Sequence, residues 1–104
     1  MEELNICVSS HAIKRFKQRE KIKNIHKMYR RAYQAYEKGK LFEWDENGNG
    51  KYLLNCTVYV FNKNEKQLVT LLTLYKADKS DGRIKILLKP IIRARQKRFY
   101  ENTA

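Results

Sequence analysis

The spacing of apolar positions divides the chain into a helical first part and a strand-rich second part. Residues 4–8 form a short apolar run that suits an edge strand or an extended lead-in. In residues 11–23, apolar side chains mark one side of a helix whose other side is basic. Residues 25–38 repeat apolar and aromatic positions at three- and four-residue spacing. Two consecutive amphipathic helices are therefore predicted.

Polar residues and a glycine mark the ends of these helices. Ser9 and Ser10 precede the first helix and Asn24 precedes the second, and their side-chain oxygens can accept a hydrogen bond from a free first-turn amide. Gly39 is placed to end the second helix in the left-handed conformation.

The period changes from helix to strand after residue 40. Residues 45–50 contain two Asn-Gly pairs and are predicted to turn. The β-branched and aromatic run 51–61 and the run 68–76 are predicted to be adjacent antiparallel strands, joined by the polar loop 62–67. Residues 83–89 alternate like a fourth strand.

Pro90 suits the first turn of a helix, and the basic sequence after it predicts a short C-terminal helix. The chain has 104 residues, which is the usual size of one domain, so residues 1–104 are predicted to form a single domain. The predicted fold is α+β, with two N-terminal helices packed on an antiparallel sheet of three or four strands and a short basic C-terminal helix.

The formal net charge is +12 and is unevenly placed. Residues 11–40 carry +9 and residues 83–104 carry +6, whereas residues 41–82 carry −1. Such an imbalance costs stability through self-repulsion, and it predicts a positive side that meets a polyanion. Nucleic acid is the expected partner.

Other classes of function receive little support from the sequence. Cys7 and Cys56 have no metal-ligand spacing and are predicted to be reduced core residues, so neither a metal nor a cofactor is expected. No apolar run approaches the roughly 20 residues that span a bilayer. The acidic start differs from the basic start of a signal peptide, and a cytoplasmic protein without membrane contact is expected.

His11, Arg15 and Arg19 carry the most informative chemistry. On a helix, positions i, i+4 and i+8 form one stripe. A histidine can move a proton near neutral pH, and arginines can hold a phosphate and offset charge that develops on it. The alternative is a solvated basic face that happens to begin with a histidine.

A family resemblance strengthens the first interpretation. His11, Ala12, Arg15 and Arg19, followed by Gly39, a Val58–Phe61 strand and a Leu68–Leu72 strand, resemble small toxin-like proteins that share the barnase/EndoU/colicin/RelE ribonuclease fold. The likeness covers roughly residues 8–75. It implies metal-independent RNA cleavage, in which His11 transfers the proton, Arg15 and Arg19 hold phosphate, and Thr70 lies near the scissile group.

Further residues are predicted to contact nucleic acid through charge. Clusters on both helices and in the C-terminal tail suit phosphate contact: Lys14, Arg30, Arg31, Arg93, Arg95, Lys97 and Arg98. Aromatic rings at helical spacing usually pack in the core, so Tyr29 and Tyr33 are predicted to pack, while Tyr36 is open between packing and base stacking.

Three functions compete. The first is a small metal-independent ribonuclease toxin, or toxin-like protein, of a bacterium or mobile element. The second is a non-catalytic phage or mobile-element protein that binds nucleic acid or a host nucleoprotein as a regulator or inhibitor. The third is a module for an acidic partner protein, such as an antitoxin.

Overall fold

A five-stranded sheet with helices on both faces forms the molecule. The computed structural model describes residues 5–63 and 68–88. In chain order the elements are β1 (Asn5–Val8), α1 (Ser10–Arg19), α2 (Ile25–Lys38), β2 (Lys40–Trp44), β3 (Gly50–Leu54), β4 (Thr57–Lys63), β5 (Leu68–Lys76) and α3, a helix over residues 82–88. The strand order across the sheet is β1-β5-β4-β3-β2.

The α+β class is confirmed, but the predicted arrangement differs in three ways. A strand precedes the two helices, the sheet has five strands instead of three or four, and one pair of strands is parallel. The interpretation of residues 4–8 as an edge strand is confirmed for Asn5–Val8. β1 lies at the edge and pairs in parallel with β5, from Asn5 opposite Leu68 to Val8 opposite Leu71. The other neighbours are antiparallel, so the sheet is mixed. These two segments are far apart in sequence, so no local sequence pattern predicts that they pair.

Ser9 connects the sheet to α1. Its Oγ accepts a hydrogen bond from the Ala12 amide at 3.0 Å, as the predicted cap requires, and donates one to the Leu72 carbonyl at 2.8 Å. The helix ends at Arg19, short of the predicted end near residue 23. Lys21 adopts the left-handed conformation with a φ of 55°, which a continuing helix does not allow.

The predicted bounds of α2 are confirmed, and the Asn24 Oδ1 accepts from the Lys27 amide at 3.3 Å. The predicted left-handed end at Gly39 is wrong, because its φ is −67° and its ψ is 157°. Glycine is required at this position because neighbouring atoms lie too close to leave room for a side chain. A Cβ at this position would collide with the Ala35 carbonyl oxygen and press on the Cβ of Tyr52.

The run 51–61 is not one strand. Asn55 takes a φ of 56°, and the chain reverses between Leu54 and Thr57, which pair across the resulting β3–β4 hairpin. Asparagine adopts the left-handed region more readily than most residues, so it can turn the chain without glycine. The predicted antiparallel pairing with β5 is confirmed for the β4 half of the run.

Residues 83–89 were predicted to form a strand, and this is wrong for the part that the structure describes, which is helical. The Asp81 Oδ1 accepts from the Arg83 amide at 3.0 Å, and the Lys85 amide donates to the Asp81 carbonyl at 2.9 Å. Ile84 and Leu88 lie four residues apart and are both buried, as one face of a helix. The helix predicted from Pro90 onwards lies outside the described residues.

Two hydrophobic clusters fill the two sides of the sheet. The first joins α1 and α2 to one face, and consists of Val8, Ala12, Phe16, Met28, Ala32, Ala35, Tyr59, Phe61, Val69, Leu71 and Leu74. The second joins α3 to the opposite face, and consists of Leu53, Val58, Ala77, Ile84 and Leu88. Alternation along β4, with Val58 in one cluster and Tyr59 in the other, separates the two faces.

Several predictions about which side chains pack are corrected by these clusters. Tyr29 and Tyr33, predicted to pack, are exposed, whereas Tyr36 lies against Tyr52 with ring centroids 5.4 Å apart. Cys7 is exposed because it alternates with Ile6 and Val8, whose side chains meet the first cluster. Within residues 5–63 and 68–88, no helix has the length and apolar character needed to cross a membrane.

Candidate nucleic-acid interface

The outward sides of α1, α2 and their connection form a continuous basic surface, called here the helical face. Phe16 and Ala12 turn the apolar side of α1 to the sheet, and Met28 and Ala32 do so for α2. The cations are left on the other side. Those that are exposed are Lys14, Lys17, Arg19, Lys21, Lys23, Lys27, Arg30 and Lys38.

These cations have no carboxylate partners within the described ranges. The ion pairs there join Lys51 and Arg83 to Glu43, at 3.1 and 3.0 Å, and Arg83 to Asp81. Arg83 and Lys51 lower the pKa of Glu43 by hydrogen bonding to its carboxylate. All of these pairs join residues between 43 and 83, outside α1 and α2.

The two acids near the helical face are held by hydroxyl groups. The Thr57 Oγ1 donates to Glu20 at 2.8 Å, and the Tyr33 hydroxyl donates to Glu37 at 3.3 Å. Each carboxylate keeps its negative charge, but among the described residues neither forms an ion pair with a cation of the helical face. The face keeps a net positive charge that is available to an external anion.

The helix dipoles add to this positive potential. Neither α1 nor α2 has an acidic residue in its first turn, where a carboxylate would stabilise the helix. In α2 the first turn carries Lys27, and Arg30 and Arg31 follow. Cations near a helix N-terminus are unfavourable for folding, so folding alone does not explain their placement.

The predicted stripe on α1 is partly assembled. The Arg15 Nε donates to the His11 Nε2 at 3.4 Å, as expected for neighbours four residues apart. Arg19 lies two turns further on, roughly 12 Å from His11 along the helix axis. It lines a cavity of about 370 Å³ together with Glu20, Cys56, Thr57 and Lys76. The distance between His11 and Arg19 suits contact with successive phosphates of one strand better than joint contact with one reacting phosphate.

Thr70 does not join this stripe. Its neighbours Val69 and Leu71 both belong to the cluster beneath α1 and α2. Successive side chains of a strand point to opposite faces, so Thr70 lies on the face away from the helices. It pairs with Asn62 on β4 and Cys7 on β1. The four predicted catalytic residues therefore do not converge on one cleft.

A second cavity, called here the α2 cavity, lies where the helix connection meets α2. It has a volume of about 340 Å³ and is lined by Ile22, Lys27, Arg30, Arg31 and Gln34. No carboxylate lines it. By contrast, Glu20 lines the cavity at Arg19, and three acids line a cavity at the β2–β3 turn: Glu43, Asp45 and Glu46.

Arg31 differs from the other cations of the α2 cavity because it is half-buried. It lies near the phenol of Tyr59, which is fully buried. Burial raises the pKa of Tyr59, and the Arg31 guanidinium opposes that rise. The Tyr59 hydroxyl has no hydrogen-bond partner within standard distance among the described residues.

The predicted nucleic-acid contacts are placed only in part. Lys14 and Arg30 are exposed on the helical face, and Arg31 lines the α2 cavity. The four tail residues, Arg93, Arg95, Lys97 and Arg98, lie outside the described residues. Sequence reasoning missed Lys27 and Gln34. Their spacing from Arg30 and Arg31, three to four residues each way, could have placed them on the same helix side.

Metal chemistry finds no support in the described segments, because no group of three or more His, Cys, Asp or Glu side chains there is arranged to hold an ion. The chain matches no protein-family model, and it matches no curated protein and no solved structure.

Proposed function

We propose that this protein binds nucleic acid, with RNA favoured, through the helical face of α1 and α2. The observation that carries the proposal is the set of exposed cations without carboxylate partners among the described residues. A polyanion would relieve their mutual repulsion and release its own counterions on binding. Binding requires no convergence of catalytic groups, which agrees with the position of Thr70 on the other face of the sheet.

The expected result is strongly salt-dependent binding to single-stranded RNA. If the helical face neutralises about five phosphates, affinity falls about 100-fold between roughly 50 and 200 mM salt. Fluorescence anisotropy with a labelled RNA across a salt series measures the slope. A heparin competitor and a double-stranded DNA of equal charge serve as controls for charge alone.

Affinity that is independent of salt would contradict the proposal. Failure to bind either RNA or DNA would favour an acidic protein partner, such as an antitoxin or a host nucleoprotein, as the ligand of the same face.

Ribonuclease activity is the second candidate function, and the contact between Arg15 and His11 favours it. Here the RNA 2′-hydroxyl would attack the adjacent phosphate, and the bond from phosphorus to the 5′-oxygen would break, which leaves a 2′,3′-cyclic phosphate. His11 would take the proton of the 2′-hydroxyl and pass it to the leaving 5′-oxygen. Replacing His11 with alanine is expected to lower the cleavage rate by a factor of roughly 10²–10⁴. The side chain is exposed, so folding and RNA binding should be nearly unchanged.

Single-turnover cleavage of a mixed-sequence RNA in EDTA measures this effect. The matched control is His26→Ala, which removes an exposed histidine from the start of α2. If the wild type leaves RNA intact, or if the His11 and His26 variants cleave equally well, His11 has no catalytic role and the protein is a binder.

A further inference from the structure

The α2 cavity is a recess with one apolar wall, and it differs from the cavity at Arg19 because no carboxylate lines it. Ile22 forms that wall and also packs against the first hydrophobic cluster, so the wall is fixed to the core. Lys27, Arg30 and Arg31 supply three positive charges, and Gln34 adds an amide. A site of this kind suits a small, highly charged anion.

Arg31 is held ready for such an anion. Its side chain is half-buried beside Tyr59, in contrast to Lys27 and Arg30, which are exposed. A guanidinium whose stem is fixed by packing loses little conformational entropy when it binds. Its planar group can then form two parallel hydrogen bonds to phosphate oxygens.

The charge of the cavity costs stability while it is empty. Its three cations lie within five consecutive residues of α2, and Lys27 is in the first turn, where the helix dipole is positive and no acid offsets it. An anion with two negative charges would offset more of this repulsion than an anion with one. An internal phosphate of a nucleic acid carries one charge, whereas a terminal phosphate carries about 1.5 to 2 near neutral pH.

We propose that the α2 cavity binds the terminal phosphate of an RNA strand, a phosphomonoester, while the rest of the helical face contacts internal phosphates. This inference rests on the proposed function and adds to it a preference for strand ends. Lys27, Arg30 and Arg31 would hold the phosphate, and Gln34 would donate a hydrogen bond to it. The apolar wall at Ile22 would lie beside the terminal sugar.

The test compares four versions of one short single-stranded RNA. The first has hydroxyl groups at both ends, the second a 5′-phosphate, and the third a 3′-phosphate. The fourth has hydroxyl ends and is longer by two nucleotides, so that its two added internal phosphates match the charge of a terminal phosphate. The fourth controls for added charge. One phosphorylated form is expected to bind the wild type about tenfold more tightly than both the hydroxyl form and the lengthened form, since a dianion gains more from converging cations.

Variants then locate the effect. Lys27→Gln combined with Arg30→Gln removes two cations from the cavity and should abolish the preference for the phosphorylated end. Lys14→Gln combined with Lys17→Gln removes the same charge from α1. This control should weaken binding to every RNA while it keeps the preference. All four side chains are exposed, so both variants should fold, which circular dichroism checks.

Each outcome decides between the two proposals. If the wild type binds all four RNAs with salt-dependent and equal affinity, the terminal-phosphate site is wrong and the proposed function stands. If it binds none of them, both are wrong. If the preference survives in the cavity variant, the end is recognised elsewhere. If inorganic phosphate binds as tightly as the phosphorylated RNA, the cavity is a site for the free ion and this proposal fails.

Discussion

Reversing the charge of Lys14 and Arg30 together is expected to weaken RNA binding about 100-fold at low salt. One residue lies on α1 and the other on α2, so the double variant tests whether the two helices form one interface. Each substitution removes a phosphate contact and adds repulsion, and the salt slope should become shallower by about two contacts. Anisotropy with the same RNA, across the same salt series, measures both quantities.

The matched control is Lys79→Glu combined with Lys85→Glu. Both lysines are exposed, and Lys85 lies on α3, which packs on the opposite face of the sheet. The change in net charge is identical, so this variant reports the effect of overall charge. Equal loss of affinity in the two double variants would show that binding follows net charge, and it would contradict an interface on the helical face.

Replacing Phe16 with alanine is expected to lower the free energy of unfolding by about 3–5 kcal/mol. The side chain is fully buried, and its ring lies 6.4 Å from that of Tyr59 between centroids. It joins α1 to the sheet as a member of the first hydrophobic cluster. A domain of this size is stable by roughly 5–15 kcal/mol, so the loss is a large part of the total.

Urea unfolding followed by circular dichroism measures this change. Gln18→Ala is the control on the same helix, because Gln18 is exposed and should shift stability by less than about 0.5 kcal/mol. If the alanine variant does not fold, Phe16→Leu keeps the test open with an expected loss of about 1–2 kcal/mol. A change below about 0.5 kcal/mol in either Phe16 variant would contradict the packing described here.

The parts of the fold that were predicted correctly depend on neighbouring residues. Ser9 and Asn24 cap their helices through amides three residues away, and these contacts can be read directly from the sequence. The strand over residues 68–76 was also correct, because its apolar run was long. The parallel pairing of β1 with β5 could not be predicted, since it joins segments more than sixty residues apart through a contact that neither segment specifies alone.

The errors in the second half of the chain have local causes. Asn55 turns the chain without a glycine. The β3–β4 hairpin therefore contains no glycine that would mark its turn, and its sequence resembles that of one long strand. For α3, Ile84 and Leu88 fit a helix four residues apart, but Ile86 between them also fits alternation along a strand. In a strand, Ile86 would share the buried face of Ile84 and Leu88. It is 66% exposed instead, as expected for a helix. Asp81 was the missed signal, since an aspartate often precedes a helix.

In the candidate site, too, local contacts were predicted and those that depend on the assembled fold were not. The His11–Arg15 contact follows from helix geometry and was predicted by spacing alone. The position of Thr70 depends on which face of β5 meets the helices, and the sequence does not specify this because Thr70 and its neighbours fit either face. The α2 cavity also depends on the connection between the helices, because Ile22 lines it and directly follows Lys21 in its left-handed conformation.

The parallel pairing of β1 with β5 also constrains the order of folding. The meander from β2 to β5 joins neighbours in sequence, so its contacts close short loops and can form early. The pairing of β1 and the hydrogen bond from Ser9 to Leu72 must wait for a partner 63 residues away. During synthesis both basic helices therefore leave the ribosome before β3, β4 and β5, on which most of their apolar sides pack, have been made. In that interval a nearby RNA could bind their cations before the apolar sides are packed.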